Sequence, residues 1–119
     1  MPDEVNSALE DGIASIDCGR YFAAHEALET AWRAAPAAER DFFQGLVHVA
    51  VAWYQAERRN QVGCERQLEK ATRRLGPFAP AHRDVDVADL LAQVTAARGR
   101  YPCLPPIHVT RAPGSPGPG

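Results

Sequence analysis

The sequence contains no C-x-x-C pair and no run of about 18 consecutive apolar residues, the length a bilayer-spanning helix needs. Its formal net charge at pH 7 is only −2. Each shortage excludes something. Cys18, Cys64 and Cys103 are odd in number and widely spaced, which fits neither a disulfide framework nor a thiolate zinc site. They read as buried or half-buried free thiols in a reducing compartment. So weak a net charge sets up no global field toward nucleic acid or an acidic membrane. The opening Met1-Pro2-Asp3-Glu4-Val5 lacks the basic and apolar regions of a signal peptide, so the expected location is the cytoplasm. No segment alternates convincingly as a strand.

What is present is helical periodicity. The 119 residues suffice for one domain, and 45% hydrophobic against 24% charged residues is a composition that builds an ordinary core. Val5, Leu9, Gly12, Ile13 and Ile16 recur at three- and four-residue steps, predicting a first helix over about Asp3–Cys18 that Gly19 stops. An alanine-rich stretch predicts a second helix over Arg20–Ala35, broken by Pro36. A third covers Ala37–Arg59, and its middle, Phe42 to Tyr54, is apolar nearly all round, so it belongs at the centre. Asn60 is a natural N-cap for a fourth, Gln61–Leu75, which Gly76-Pro77 ends; Phe78–Arg83 reads as an irregular connection. Asp86 with Asp89 opens a fifth, Val87–Ala97. The expected fold is all-α: a single-domain bundle of about five helices over residues 1–100, then an extended and disordered tail over 101–119. That tail becomes Pro/Gly-rich from Arg111 onward, with three prolines and three glycines.

One feature departs from a plain bundle. At about 100° per residue, the second helix gathers Leu28, Tyr21, Trp32 and His25 within an arc of about 60°, with Glu29 and Phe22 just beyond. On the third helix Asp41, Gln44, His48 and Gln55 form the polar strip of an otherwise apolar cylinder. An antiparallel hairpin across Pro36 brings His25 and Glu29 toward Gln44 and His48. Such a cluster has a structural reading, in which buried polar groups satisfy one another and fix register. It also has a metal reading through His25, Glu29 and His48, and an acid–base reading in which His25 or Glu29 is a general base. The string His25-Glu26-x-x-Glu29 carries glutamate where the zinc-protease pattern needs its second histidine, and the E-x-x-H pairs of di-iron bundles are missing. No catalytic residue and no metal ligand is therefore assigned. Trp32 and Trp53 read as core rings, and His82 and His108 fall in loop-like stretches with no inferable role.

The residues Gly19-Arg20-Tyr21-Phe22-Ala23-Ala24-His25-Glu26-Ala27-Leu28-Glu29, then Trp32-Arg33, Phe43-Gln44-Gly45-Leu46, Tyr54 and Asn60, resemble a family of small bacterial and archaeal proteins, domain-of-unknown-function family 309. The likeness runs over about residues 5–95. It implies an all-helical bundle and brings no established activity. The family's signature positions fall on His25, Glu26, Glu29, Trp32, Gln44 and Gly45. A histidine that follows the tyrosine in the family pattern is Gln55 here, which weakens a shared metal site. The phrase G-x-Y-x-x-A-x-x-x-L in the second helix is also similar to tetratricopeptide hairpins, without a sequence repeat.

The expectation for function is an uncharacterised helical protein acting as a non-enzymatic interaction or self-associating module. The candidate polar site is His25, Glu26, Glu29, Gln44 and His48, supported by Trp32 and Tyr54. Its partner is another protein or a second copy, with no membrane and no dedicated cofactor. One alternative is a hydrolase-like enzyme using His25 and Glu29, with a divalent metal or by acid–base chemistry. A second is an anion or nucleic-acid binder through Arg66, Lys70, Arg73 and Arg74. That reading is disfavoured, because Glu57, Glu65 and Glu69 are interleaved with the cations and no aromatic reading head accompanies them.

Overall fold

A computed structural model describes residues 3–112. The five helices form where periodicity places them: α1 Glu4–Asp17, α2 Tyr21–Ala34, α3 Arg40–Glu57, α4 Gln61–Leu75 and α5 Val87–Ala97. The starts of α1, α4 and α5 are capped by side chains short enough to reach the free N–H groups of a first turn. Asp3 accepts from the Asn6 N–H at 3.2 Å, Asn60 from the Gly63 N–H at 2.9 Å, and Asp86 from the Asp89 N–H at 2.9 Å. Gly19 ends the α1 corner at φ 75° and Gly99 the α5 corner at φ 79°. The chain leaves α2 through extended Ala35 and Pro36, and a 3₁₀ turn, Ala37–Glu39, precedes α3.

Consecutive helices pack side by side, α1 on α2, α2 on α3 and α3 on α4, in a body of 43 × 26 × 25 Å. As the apolar run requires, α3 lies between two neighbours and buries Phe42, Phe43, Leu46, Val49, Ala50 and Trp53. Two glycines let the helices approach. A Cβ on Gly12 would meet Leu28 at 2.6 Å, and one on Gly45 would meet Leu75 at 2.6 Å. All buried apolar residues join one core cluster.

Two stretches differ from expectation. Between α4 and α5 lie a 3₁₀ turn, Gly76–Phe78, and a small antiparallel hairpin, β1 Ala81–His82 with β2 Val85–Asp86. Strands this short carry no periodicity to read. Arg83 and Asp84 form its turn at φ 46° and 63°, the left-handed pair that a tight type I′ hairpin needs. Secondly, residues 101–112 run extended but do not hang free. Ile107 and Val109 are buried in the core, the Trp53 indole N–H donates to the Pro105 carbonyl at 2.9 Å, and the Val109 N–H donates to Asp17 at 2.9 Å. Gln93 of α5 holds the His108 backbone through both its N–H and its carbonyl. Arg111 bridges to Val85, and the Ala112 N–H donates to the Asp84 carbonyl at 2.9 Å, so neither belongs to a loose tail. The expectation of disorder over 113–119 lies outside the described residues.

Candidate functional site

The predicted polar face exists, but it is rearranged and lies at the surface. No polar side chain among the described residues is fully buried, so the cluster is half-buried rather than internal. The reason is geometric. Ala24, Leu28 and Ala31 of α2 and the apolar side of α3 are buried in the core, which leaves the polar strips along the rim.

A cleft of about 180 Å³ opens on that rim, lined by Glu29, Trp32, Gln44, Val47 and His48. Three of the expected residues therefore share one hollow. His25 is not on its wall. Its Nε2 lies 3.3 Å from Glu29 one helical turn along, and its ring packs beside Phe22 at 5.7 Å between centroids. Phe22 in turn stacks on Tyr54 at 5.5 Å, and Arg58 lies over the Tyr54 ring. Tyr54 thus supports an aromatic strip beside the cleft, not the cleft itself. Glu26 is exposed and outside the site. Asp41 turns away to pair with Arg74 at 2.7 Å, and Gln55 accepts from Asn60 at 3.1 Å. Trp32, expected in the core, is a half-buried wall with the Arg40 guanidinium 4.7 Å above its ring.

His48 does not meet His25. Its Nδ1–H donates to the Gln67 carbonyl oxygen of α4 at 2.7 Å. An amide oxygen only accepts, so the proton sits on Nδ1 and Nε2 keeps its lone pair. Burial lowers the His48 pKa, and the charges of Lys70 and Arg74 push the same way, against the Gln67 hydrogen bond. The ring is therefore neutral at physiological pH. Glu29 is approached by Arg33 at 3.6 Å as well as by His25. The cleft offers a carboxylate and an imidazole lone pair, both acceptors, and an amide that accepts or donates, beside the apolar surfaces of Trp32 and Val47. Among the described residues no three His, Cys, Asp or Glu side chains converge closely enough to hold a metal ion.

A second polar cluster escaped the sequence reading. Glu39 accepts from Arg83 through both carboxylate oxygens, at 2.6 and 2.9 Å, and from His82 at 2.7 Å. Arg83 also reaches Asp3 at 3.4 Å and lies over the Phe43 ring, while His82 packs against Phe42 and Phe78. The Arg83 hydrogen bond, with help from His82 and from both charges, overrides partial burial and holds the Glu39 carboxyl at about 2. His82, whose role the sequence did not reveal, fastens the hairpin to the start of α3. The partners lie more than forty residues apart in sequence, and no spacing signals that contact. Of the cysteines, Cys64 is buried as expected, whereas Cys18 and Cys103 are exposed. On α4, Arg73 pairs with Glu69 at 2.8 Å and Arg74 with Asp41, so part of the basic face is neutralised in place.

These features define an all-helical bundle with a half-open, acceptor-lined cleft between its second and third helices. Residues 9–67 match the model of a protein family described as Domain of unknown function (DUF309), the family that the signature residues resemble. The match ends within α4, so α5 and residues 101–112 lie beyond it. No curated protein matches the chain. No helix among the described residues is long and apolar enough to cross a membrane.

Proposed function

We propose that the protein is a non-catalytic docking module, and that the α2–α3 cleft seats one side chain of a partner protein. The supporting observation is the pairing of the acceptor-lined hollow of Glu29, Gln44 and His48 with a contiguous aromatic strip in which Phe22 is 52% exposed. An exposed ring held in a stack by its neighbours is the kind of preformed anchor that interfaces use. The occupant is a side chain with an apolar stem and an N–H donor head. The stem lies on Trp32 and Val47, and the head donates to Glu29 and to His48 Nε2. A hydrolytic reading has less behind it, because the cleft holds no serine, threonine or cysteine nucleophile for its imidazole to activate.

The test is an NMR titration of the Trp32 indole N–H with blocked single-residue amides. Blocked arginine, lysine and glutamine should shift it saturably, and blocked leucine should not. A Gln44→Leu, His48→Phe variant should lose the response while keeping its helical signal. Equal shifts from leucine, or none from any donor, overturn the reading.

A further inference from the structure

A separate hollow lies at the opposite end of the α2–α3 pair, where the strap of residues 101–112 crosses the bundle. Tyr21, Trp53, Glu57, Pro102, Leu104 and Pro106 line it, and its volume is about 190 Å³. Pockets that enclose drug-sized ligands run to roughly 300–1,000 Å³, so this one suits a small group or the end of a longer molecule. Its walls are short of donors. Pro102 and Pro106 have no N–H, and the Trp53 indole N–H is already spent on the Pro105 carbonyl. The Tyr21 phenol is the one remaining side-chain donor on the wall.

Negative charge and two aromatic side chains, Tyr21 and Trp53, stand against that shortage. Glu57 is exposed and has no ion-pair partner among the described residues. It is also the last residue of α3, where the helix dipole presents its negative end. Its charge is felt inside the hollow, since it adds to burial in raising the Tyr21 pKa. An anion entering here would meet a carboxylate and a helix C-terminus. A neutral donor would gain little from the rings. A cation gains from both, and an organic one also fits the apolar Leu104 and proline surface.

We infer that this hollow is a binding site for an organic ammonium group, seated against the Tyr21 and Trp53 rings and neutralised by Glu57. The strap supplies one wall, so the site exists only while residues 101–112 are docked. It is distinct from the α2–α3 cleft, and each has its own tryptophan as a reporter.

The experiment is a titration of the full chain at fixed ionic strength, following both indole N–H signals. Choline should move the Trp53 signal saturably and leave Trp32 in place. Its neutral carbon isostere, 3,3-dimethyl-1-butanol, should move neither signal at the same concentration. Glu57→Gln should weaken choline binding roughly tenfold, the loss of one close opposite charge, while Glu57→Asp retains most of it. A parallel titration with blocked lysine amide distinguishes the sources: tighter binding of lysine points to a protein side chain, tighter binding of choline to a small quaternary ammonium molecule. Equal shifts from the isostere, no shift of Trp53, or unchanged binding in Glu57→Gln overturns the assignment.

Discussion

Glu39 shows how much a single carboxylate can hold. It receives two hydrogen bonds from Arg83 and one from His82, and its side chain is 18% exposed, so solvent screens it only weakly. Because its folded pKa falls from 4.5 to about 2, the associated stability is fully present above 4.5 and is lost as pH falls through 2. Glu39→Gln should cost on the order of 2–3 kcal/mol at neutral pH, and the gap from wild type should close toward pH 2 in urea unfolding curves. His48 has the opposite chemistry and the same direction. Its neutral form is the one that folding favours, so its contribution is complete above the ordinary 6.5 and erodes as pH drops below it. His25 behaves differently. Its contact with Glu29 is 26% and 34% exposed on the two sides, and such pairs contribute little. His25→Ala should change the unfolding free energy read from urea curves by less than about 1 kcal/mol, well below the loss expected for a buried polar cluster. Gly45→Ala is the stronger test of packing. The new methyl would sit 2.6 Å from Leu75, which should cost about 1–3 kcal/mol, measurable by the same unfolding curves.

At the scale of elements, the five helices were legible because each carries a full apolar stripe and a cap or breaker at its ends. Asp3, Asn60, Asp86, Gly19 and Gly99 all act where their chemistry indicates. The hairpin and the strap were not legible. Two-residue strands are too short for alternation, and the two positive-φ turn residues are Arg83 and Asp84 rather than the glycine that would have announced them. The proline-rich strap reads as loose chain, yet Ile107 and Val109 fill the core and its backbone groups find partners on α1, α5 and β2. The site was half legible. Helical spacing found Glu29, Trp32, Gln44 and His48, but it could not foresee that His48 would turn to Gln67 on α4. The strap is testable on its own. Ile107→Asp would bury a charge against the core, so it should release the strap, shift Trp53 fluorescence to the red and speed amide exchange in α5.

For the whole molecule, one continuous core links all five helices to the strap. Nothing in that arrangement provides a second unit that could melt alone. Trp32 on the α2–α3 rim and Trp53 beneath the strap should therefore report coincident urea transitions when observed separately, each in a variant that carries Phe in place of the other indole. Separated transitions would show that the strap and the bundle unfold independently.

The strap also gives the chain an order of assembly. Arg111 pairs with Glu10, the Val109 N–H donates to the Asp17 carboxylate, and Arg83 reaches back to Asp3, so the first helix is fastened by segments synthesised well after it. During translation α1 can rest on α2, but its outer side stays unlatched until the ribosome has released residue 111. The clasp over the first helix is the last part of the described chain to be made.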